Sequence, residues 1–331
     1  MTTNTIEFDD VTKVYGDDMV AIEDVTYGVE KGTTTVLVGP SGCGKTTTME
    51  LVNRLEDPTE GTVYYEGTDI QELDRIQLRR EIGYVIQEIG LFDHMTVGEN
   101  VATVPELKGW DRDRINDRID ELLDLMDLPP TEYRDQYPRS LSGGQRQRVG
   151  IARALAGDPD VLLMDEPFGA LDPITRETLQ NEFLEIQEKI NTTILFVTHS
   201  IDEALKMGDK IAIYDVGEVV QYGTPQEILE SPANNFVEDF VGADRGLKRL
   251  QVTQVKELLA APVKEAESGG RGVAVATDGN GSHELSPTDS AQVALSRMIQ
   301  YDVETLPVTD DGRVVGEIEK SDIHQIARTE G

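Results

Sequence analysis

Apolar and polar side chains alternate in Ile6-Glu7-Phe8 and again in Val20-Ala21-Ile22, and the pattern then closes into the unbroken run Val36-Leu37-Val38. This predicts an antiparallel edge leading into a buried strand. From Thr46 to Leu55 the period changes, with Met49, Val52 and Leu55 at helical spacing. Short strands are predicted at 61–65 and 82–86, with a basic helix around 74–80 between them. A mostly helical stretch follows, about 92–156, in which Ile115, Ile119, Leu122, Leu123 and Met126 form one apolar stripe opposite a charged face. Buried strands return at 193–197 and 210–214, the second turning through Gly217 into 219–222. Alternation of buried strands with helices is the pattern of an α/β domain with a mainly parallel sheet.

Composition narrows what such a domain can meet. The 331 residues suffice for one large α/β domain and something smaller. Asp and Glu number 63 against 30 Lys and Arg, a net charge of −33, and the basic residues are 19 Arg and 11 Lys. Such a surface repels phosphate backbones, so no nucleic-acid partner is expected. Abundant acids with few lysines suggest a shell adapted to concentrated salt, where a Debye length of roughly 3 Å at 1 M screens the self-repulsion. Apolar runs fall far short of the ~20 residues that span a bilayer. The amino terminus enters a strand-like pattern directly, without a secretory n-region or h-region. A cytoplasmic chain is therefore expected. Cys43 is the single cysteine, which excludes an intrachain disulfide and reads as a small residue tolerated in its loop.

Chemistry enters where the buried strand meets the helix. Gly39-Pro40-Ser41-Gly42-Cys43-Gly44-Lys45-Thr46, with Thr47 next, fits G-x-x-x-x-G-K-[ST] in the strand-to-helix context that this motif requires. Its glycines let backbone N–H groups face phosphates, the lysine reaches the β and γ oxygens, and the threonine hydroxyl binds Mg²⁺. A second Gly-rich run, Leu141-Ser142-Gly143-Gly144-Gln145, offers another hydroxyl and close backbone approach to phosphate. Downstream, the apolar run 161–164 ends in Asp165, whose carboxylate is placed to hold Mg²⁺. Glu166 follows as the candidate general base for an attacking water, a contribution typically worth about 10²–10⁴-fold.

Together these motifs resemble the ATP-binding cassette family, across residues 1–242. The resemblance implies a P-loop cassette with a parallel core sheet, an antiparallel β subdomain and a helical subdomain. It makes Tyr15 the aromatic that stacks on adenine, Gln87 the residue sensing Mg²⁺ and the nucleophilic water, His199 the contact to the γ-phosphate, and Asp172 part of the loop crossing the dimer interface. Two cassettes are then expected head to tail, with ATP between Lys45 of one chain and Ser142, Gly143 and Gly144 of the other.

Residues 167–172 (Pro-Phe-Gly-Ala-Leu-Asp) look like the form common in bacterial and archaeal importers. Lys45 and Asp165 stand too close in sequence for the long coiled-coil arm of repair-type cassettes. Residues 89–97 and 104–107, and the junction 240–250, are similar to quaternary-amine osmoprotectant importers, with Asp93 where relatives often carry proline. The resemblance implies a peripheral subunit on the cytoplasmic face that powers import of glycine betaine, choline or carnitine through separate membrane permeases, with Phe92 and His94 at that contact. Aromatics are only 5% of residues, with Trp110 the one tryptophan, too few for a cage around a quaternary ammonium. A separate substrate-binding protein is therefore expected. Import of another solute, or an ATP-gated dimer switch outside transport, are the competing possibilities.

The tail, 243–331, comprises a linker and a small α+β domain. Gly-rich segments at 267–272 and 278–281 suggest loops. An amphipathic helix at 291–299, then strand, Asp-Gly turn and strand through 305–318, resemble the second half of a CBS motif, with residues 321–323 opening its last helix.

Overall fold

The computed structural model describes residues 3–16, 18–87, 89–187, 189–259, 284–310 and 312–327. The chain forms two compact units, Met1–Thr224 and Pro225–Gly331. Helix Pro225–Glu230 opens the second unit and packs there on helix Arg245–Val252.

Two sheets build the first unit. Strands β1 (Asn4–Tyr15), β2 (Met19–Glu30), β4 (Glu60–Tyr65) and β5 (Thr68–Asp69) form an antiparallel sheet in the order β2-β1-β4-β5. Alternation does much of the work: Ile6 and Phe8 are buried with Glu7 exposed between them, and Val25 and Tyr27 are buried with Thr26 exposed between them. The second sheet contains β3 (Thr34–Val38), β6 (Ile82–Val85), β7 (Val161–Asp165), β8 (Thr193–Thr198), β9 (Lys210–Asp215) and β10 (Glu218–Gly223), in the order β10-β9-β3-β8-β7-β6. All of its pairs are parallel except β9 with β10. Strands β3, β7 and β8 are buried along their whole length, as continuous apolar runs covered on both faces should be.

Register matters most for function. Val38 lies beside Thr198, Asp165 beside Val197 and Val85 beside Met164, so β3, β8, β7 and β6 all end at one edge. Ligands of open parallel sheets sit beyond that carboxyl edge.

Between β6 and β7 lie helices Val97–Leu107, Arg112–Leu125, Pro130–Tyr133 and Gly143–Leu155, the expected helical stretch. Ile115, Ile119, Leu122 and Leu123 are buried on one face of the second, and Met126 is buried at its C-cap. One expectation fails locally. The helix after the glycine-rich loop is Lys45–Val52, and Leu55 lies outside it and is half exposed, because Arg54 takes a left-handed φ of 52°.

In the second unit, β11 (Thr305–Asp310) pairs antiparallel with β12 (Arg313–Glu319). Helices Ala291–Tyr301 and Lys320–Ala327 flank the hairpin, and Ala294, Met298, Leu306, Val308, Ile318 and Ile323 form its core. The Gly-rich segments 267–272 and 278–281 and Asp311 of the Asp-Gly turn lie outside the described residues.

Candidate nucleotide-binding site

Between β3 and helix Lys45–Val52 the backbone makes the tight turn that the glycines allow. Gly44, the N-cap, has φ of 104°, and a Cβ there would stand 2.5 Å from the Ala21 carbonyl oxygen, so no other residue fits. Lys45 is buried, and its ammonium donates to the carbonyls of Gly39 and Pro40, both at 2.8 Å. Cys43 is buried beneath, its sulfur 3.5 Å from that ammonium. The loop rests on a hydroxyl chain in which Tyr214 lies 3.1 Å from Thr48 and 3.2 Å from Tyr27. Burial pushes the Tyr214 phenol well above its usual pKa, which keeps it neutral and hydrogen-bonding.

Asp165 and Glu166 follow at the end of β7. Burial, reinforced by the nearby Glu166 and Glu50 carboxylates, raises the Asp165 pKa to about 6, against the opposing pull of Lys45 and a hydrogen bond with Thr46. Glu166 stands in the left-handed region at φ 43°, a conformation that costs about 1–3 kcal/mol in a residue with a side chain. Two backbone bonds hold it there: its N–H donates to Val197 O at 3.0 Å and its carbonyl accepts from Gly169 N at 3.0 Å. The turn aims the carboxylate outward, where Oε2 accepts from Gln87 Nε2 at 3.2 Å and lies 3.5 Å from His199 Nδ1. Loops after three different strands thus meet on one oxygen.

Gln87, Glu166 and His199 open onto a groove of about 690 Å³ lined also by Tyr15, Met19, Val20, Ser41, Gly42, Gly44, Lys45, Thr46 and Thr47, whereas Asp165 is not part of the lining and meets it through its hydrogen bond with Thr46. The Lys13 ammonium stands 4.9 Å from the Tyr15 ring centroid. Gly39, Pro40 and Cys43 sit behind the lining.

The second Gly-rich run is elsewhere. Ser142 caps helix Gly143–Leu155, accepting from Gln145 N at 3.2 Å, while Gln145 Oε1 accepts from Ser142 N at 2.9 Å. Gly143 and Gly144 are the first two helical residues, and none of the four lines the groove. Asp172 is likewise apart, accepting from Thr175 N at 3.1 Å; that hydrogen-bonded turn, the Thr175 hydroxyl first, lowers its pKa.

Several supporting residues escaped sequence reasoning. Buried Asn100 ties the loop after Gln87 together, accepting from Phe92 N at 2.8 Å and donating to the carbonyls of Phe92, Met95 and Thr96. Arg153 donates to Gly90 O at 2.6 Å and Ile89 O at 2.9 Å, and burial lowers its pKa. Ile89 itself has φ 61°, rare for a β-branched residue. Phe92 is 44% exposed, with its ring 6.1 Å from that of His94, so it is a surface residue and not core. The one sequence signal for Asn100 was a polar residue on the apolar face of an otherwise amphipathic helix.

With this geometry established, comparison with known proteins is decisive. The ABC transporter pattern matches residues 22–169 and the CBS domain pattern residues 284–327. A carnitine transport ATP-binding protein, OpuCA of Listeria monocytogenes, is 45% identical over 98% of this chain and 78% of its own length. The chain belongs to the ABC transporter family. An osmoprotectant import ATP-binding protein, OsmV of Salmonella typhimurium, is 42% identical over 95% of the chain and 79% of its own length. The glycine betaine/carnitine/choline transport ATP-binding protein OpuCA of Bacillus subtilis is 50% identical over 77% of the chain and 67% of its own. Among solved structures, cbiO1 from Clostridium perfringens superposes with a TM-score of 0.65 at 26% identity, over 70% of this chain and 92% of that one. A dimeric post-hydrolysis structure of the ATP-binding cassette MJ0796 with ADP and Pi gives 0.59 at 33% identity, over 66% and 98%. The first unit is accordingly an ATP-binding, ATP-hydrolysing cassette, and the tail carries a CBS domain. Among the described residues no helix is long and apolar enough to cross a membrane.

Proposed function

We propose that this chain is the ATP-hydrolysing subunit of an importer of quaternary-amine osmoprotectants, the glycine betaine, choline and carnitine class. In this reading it works through separate membrane permeases and a separate substrate-binding protein, peripherally on the cytoplasmic face. The observation that carries the substrate class is identity of 42–50% with transport proteins whose names specify carnitine, choline, glycine betaine or osmoprotectants. Exposed Phe92 and His94, on a loop that Asn100 and Arg153 hold rigid, suit a permease contact.

Within the site, Tyr15 stacks on adenine and the turn 39–47 receives the phosphates, with Lys45 exchanging its carbonyl partners for phosphate oxygens. Thr46, Asp165 and Gln87 supply hard oxygen donors of the kind Mg²⁺ takes, and the acid–hydroxyl contact between Asp165 and Thr46 already brings two of them together. The metal would neutralise charge on the β and γ phosphates. Glu166 accepts a proton from the attacking water, Gln87 orients that water, and His199 contacts the γ-phosphate. A second copy completes the site with Ser142, Gly143, Gly144 and Gln145, and Asp172 lies along the same interface. The dimeric state of the related MJ0796 cassette supports that pairing.

Uptake of labelled glycine betaine under osmotic stress, in a strain lacking this chain and any redundant importer, tests the assignment. Loss of uptake is expected, with recovery on complementation and co-purification of membrane subunits. Unimpaired uptake overturns the substrate class.

A further inference from the structure

Below the groove, a single buried carboxylate joins two loops of the site. Glu203 belongs to helix Ile201–Met207, with its side chain 11% exposed. One oxygen, Oε2, accepts from the Thr198 hydroxyl, and the other, Oε1, accepts from Gln180 Nε2 at 3.0 Å. The Thr198 hydroxyl in turn accepts from Ser200 N at 3.1 Å, and Glu203 N donates to Ser200 Oγ at 3.4 Å. Both neighbours of His199 are therefore locked onto Glu203. On its other side, Glu203 Oε1 lies 4.0 Å from Arg176 Nε. That guanidinium holds the loop after Glu166, donating to the carbonyls of Phe168 at 3.2 Å, Gly169 at 3.4 Å and Leu171 at 3.1 Å.

A charge at this depth is expensive, and apolar packing would hold helix Ile201–Met207 on the sheet at no such cost. What the carboxylate alone supplies is two acceptor oxygens, one for the Thr198 hydroxyl beside His199 and one for Gln180 and, at 4.0 Å, for the Arg176 guanidinium that holds the loop after Glu166. We infer that Glu203 is a positioning residue that keeps the His199 loop and the loop from Phe168 to Asp172 in a fixed mutual register. The inference rests on the role of His199 proposed above. Since the imidazole lies 3.5 Å from Glu166, a small slip of either loop separates the histidine from the carboxylate that works beside it.

The test uses the purified full-length chain, with ATP affinity measured by a fluorescent nucleotide and turnover by phosphate release. Glu203→Gln, which matches the shape but presents a donor to one loop, lowers kcat roughly 10- to 100-fold with KM for ATP nearly unchanged. Thr198→Val removes the hydroxyl at constant volume and gives the same split, so it carries the test if Glu203→Gln folds poorly. In a His199→Ala background neither substitution slows turnover further, because the path through the imidazole is already gone. Wild-type kcat in both variants, equal losses in kcat and nucleotide affinity, or losses that multiply with His199→Ala overturn the inference. A slow His199→Ala beside normal turnover in both Glu203→Gln and Thr198→Val removes this inference alone. A His199→Ala enzyme with wild-type turnover removes the reading of the site, and the inference with it.

Discussion

The two glycine-rich segments of the cassette are built to opposite ends. Residues 39–47 curl around their own lysine, and their chemistry converges with Gln87, Glu166 and His199 in one groove, while Asp165 reaches them through Thr46. Residues 142–145 satisfy one another in a capping box and meet no other candidate site residue of the same chain. The contrast teaches that one chain gathers one set of candidate groups in a groove and holds the other apart from it in its own helix cap, the separation that the proposed pairing of two copies requires.

The largest expected effect tests the groove. Glu166→Gln keeps the hydrogen-bonding shape but removes the base, so turnover should fall about 10²–10⁴-fold while ATP affinity persists. Near-normal phosphate release would remove Glu166 from that role. The capped run is tested next, in the same background. With ATP, the Glu166→Gln chain should elute as a dimer on gel filtration, and adding Ser142→Arg should return it to monomer with nucleotide affinity intact. A monomeric Glu166→Gln chain, or a dimer indifferent to Ser142→Arg, would dissolve the comparison between the two segments.

Two smaller effects sharpen it. Asp165 has a folded-state pKa of about 6 against an ordinary 3.8. The fold therefore binds this proton more tightly than the unfolded chain does, and stability from this group is lost as pH rises between those values. Asp165→Asn, which mimics the protonated acid, should raise the nucleotide-free melting temperature at pH 7 and give no such gain below pH 4. An equal gain at both would contradict the buried, carboxylate-crowded setting. Finally, Ser142→Ala should cost about 1 kcal/mol of stability through loss of the helix cap, read by denaturant melts. No change would mean that the segment is not preorganised as its hydrogen bonds indicate.

Legibility in the sequence followed the range of the interactions. The loop 39–46 between strand and helix, the strand ending at Asp165 and the apolar stripe from Ile115 to Met126 are local patterns, and the fold uses them much as their spacing predicts, whereas the capping box of Ser142 and Gln145, equally local, went unread behind the glycines between them. The mostly parallel sheet followed from alternation of buried strands with helices. Leu55 misled because helical spacing says nothing about a left-handed residue, Arg54, that ends the helix first. Glu203, Arg153 and Asn100 carried too little signal because each is a lone polar residue whose partners only the folded chain brings to it, the side chains of Thr198 and Gln180 for Glu203 and the backbone of a loop for the other two. Arg153, for example, reaches carbonyls more than sixty positions away.

By itself the sequence determined the chemistry available: phosphate-binding turn, acid pair, second Gly-rich run, tail motif and resemblance to a transport family. Only the tertiary structure decided which of these groups meet. Parallel register brings the ends of β3, β6, β7 and β8 to one edge, so residues as distant as Gln87 and His199 reach a single carboxylate oxygen, while Ser142 is held in its own helix cap outside the groove. Spacing along a chain dictates local hydrogen bonds, but convergence across a sheet depends on pairing between strands that the local pattern does not encode.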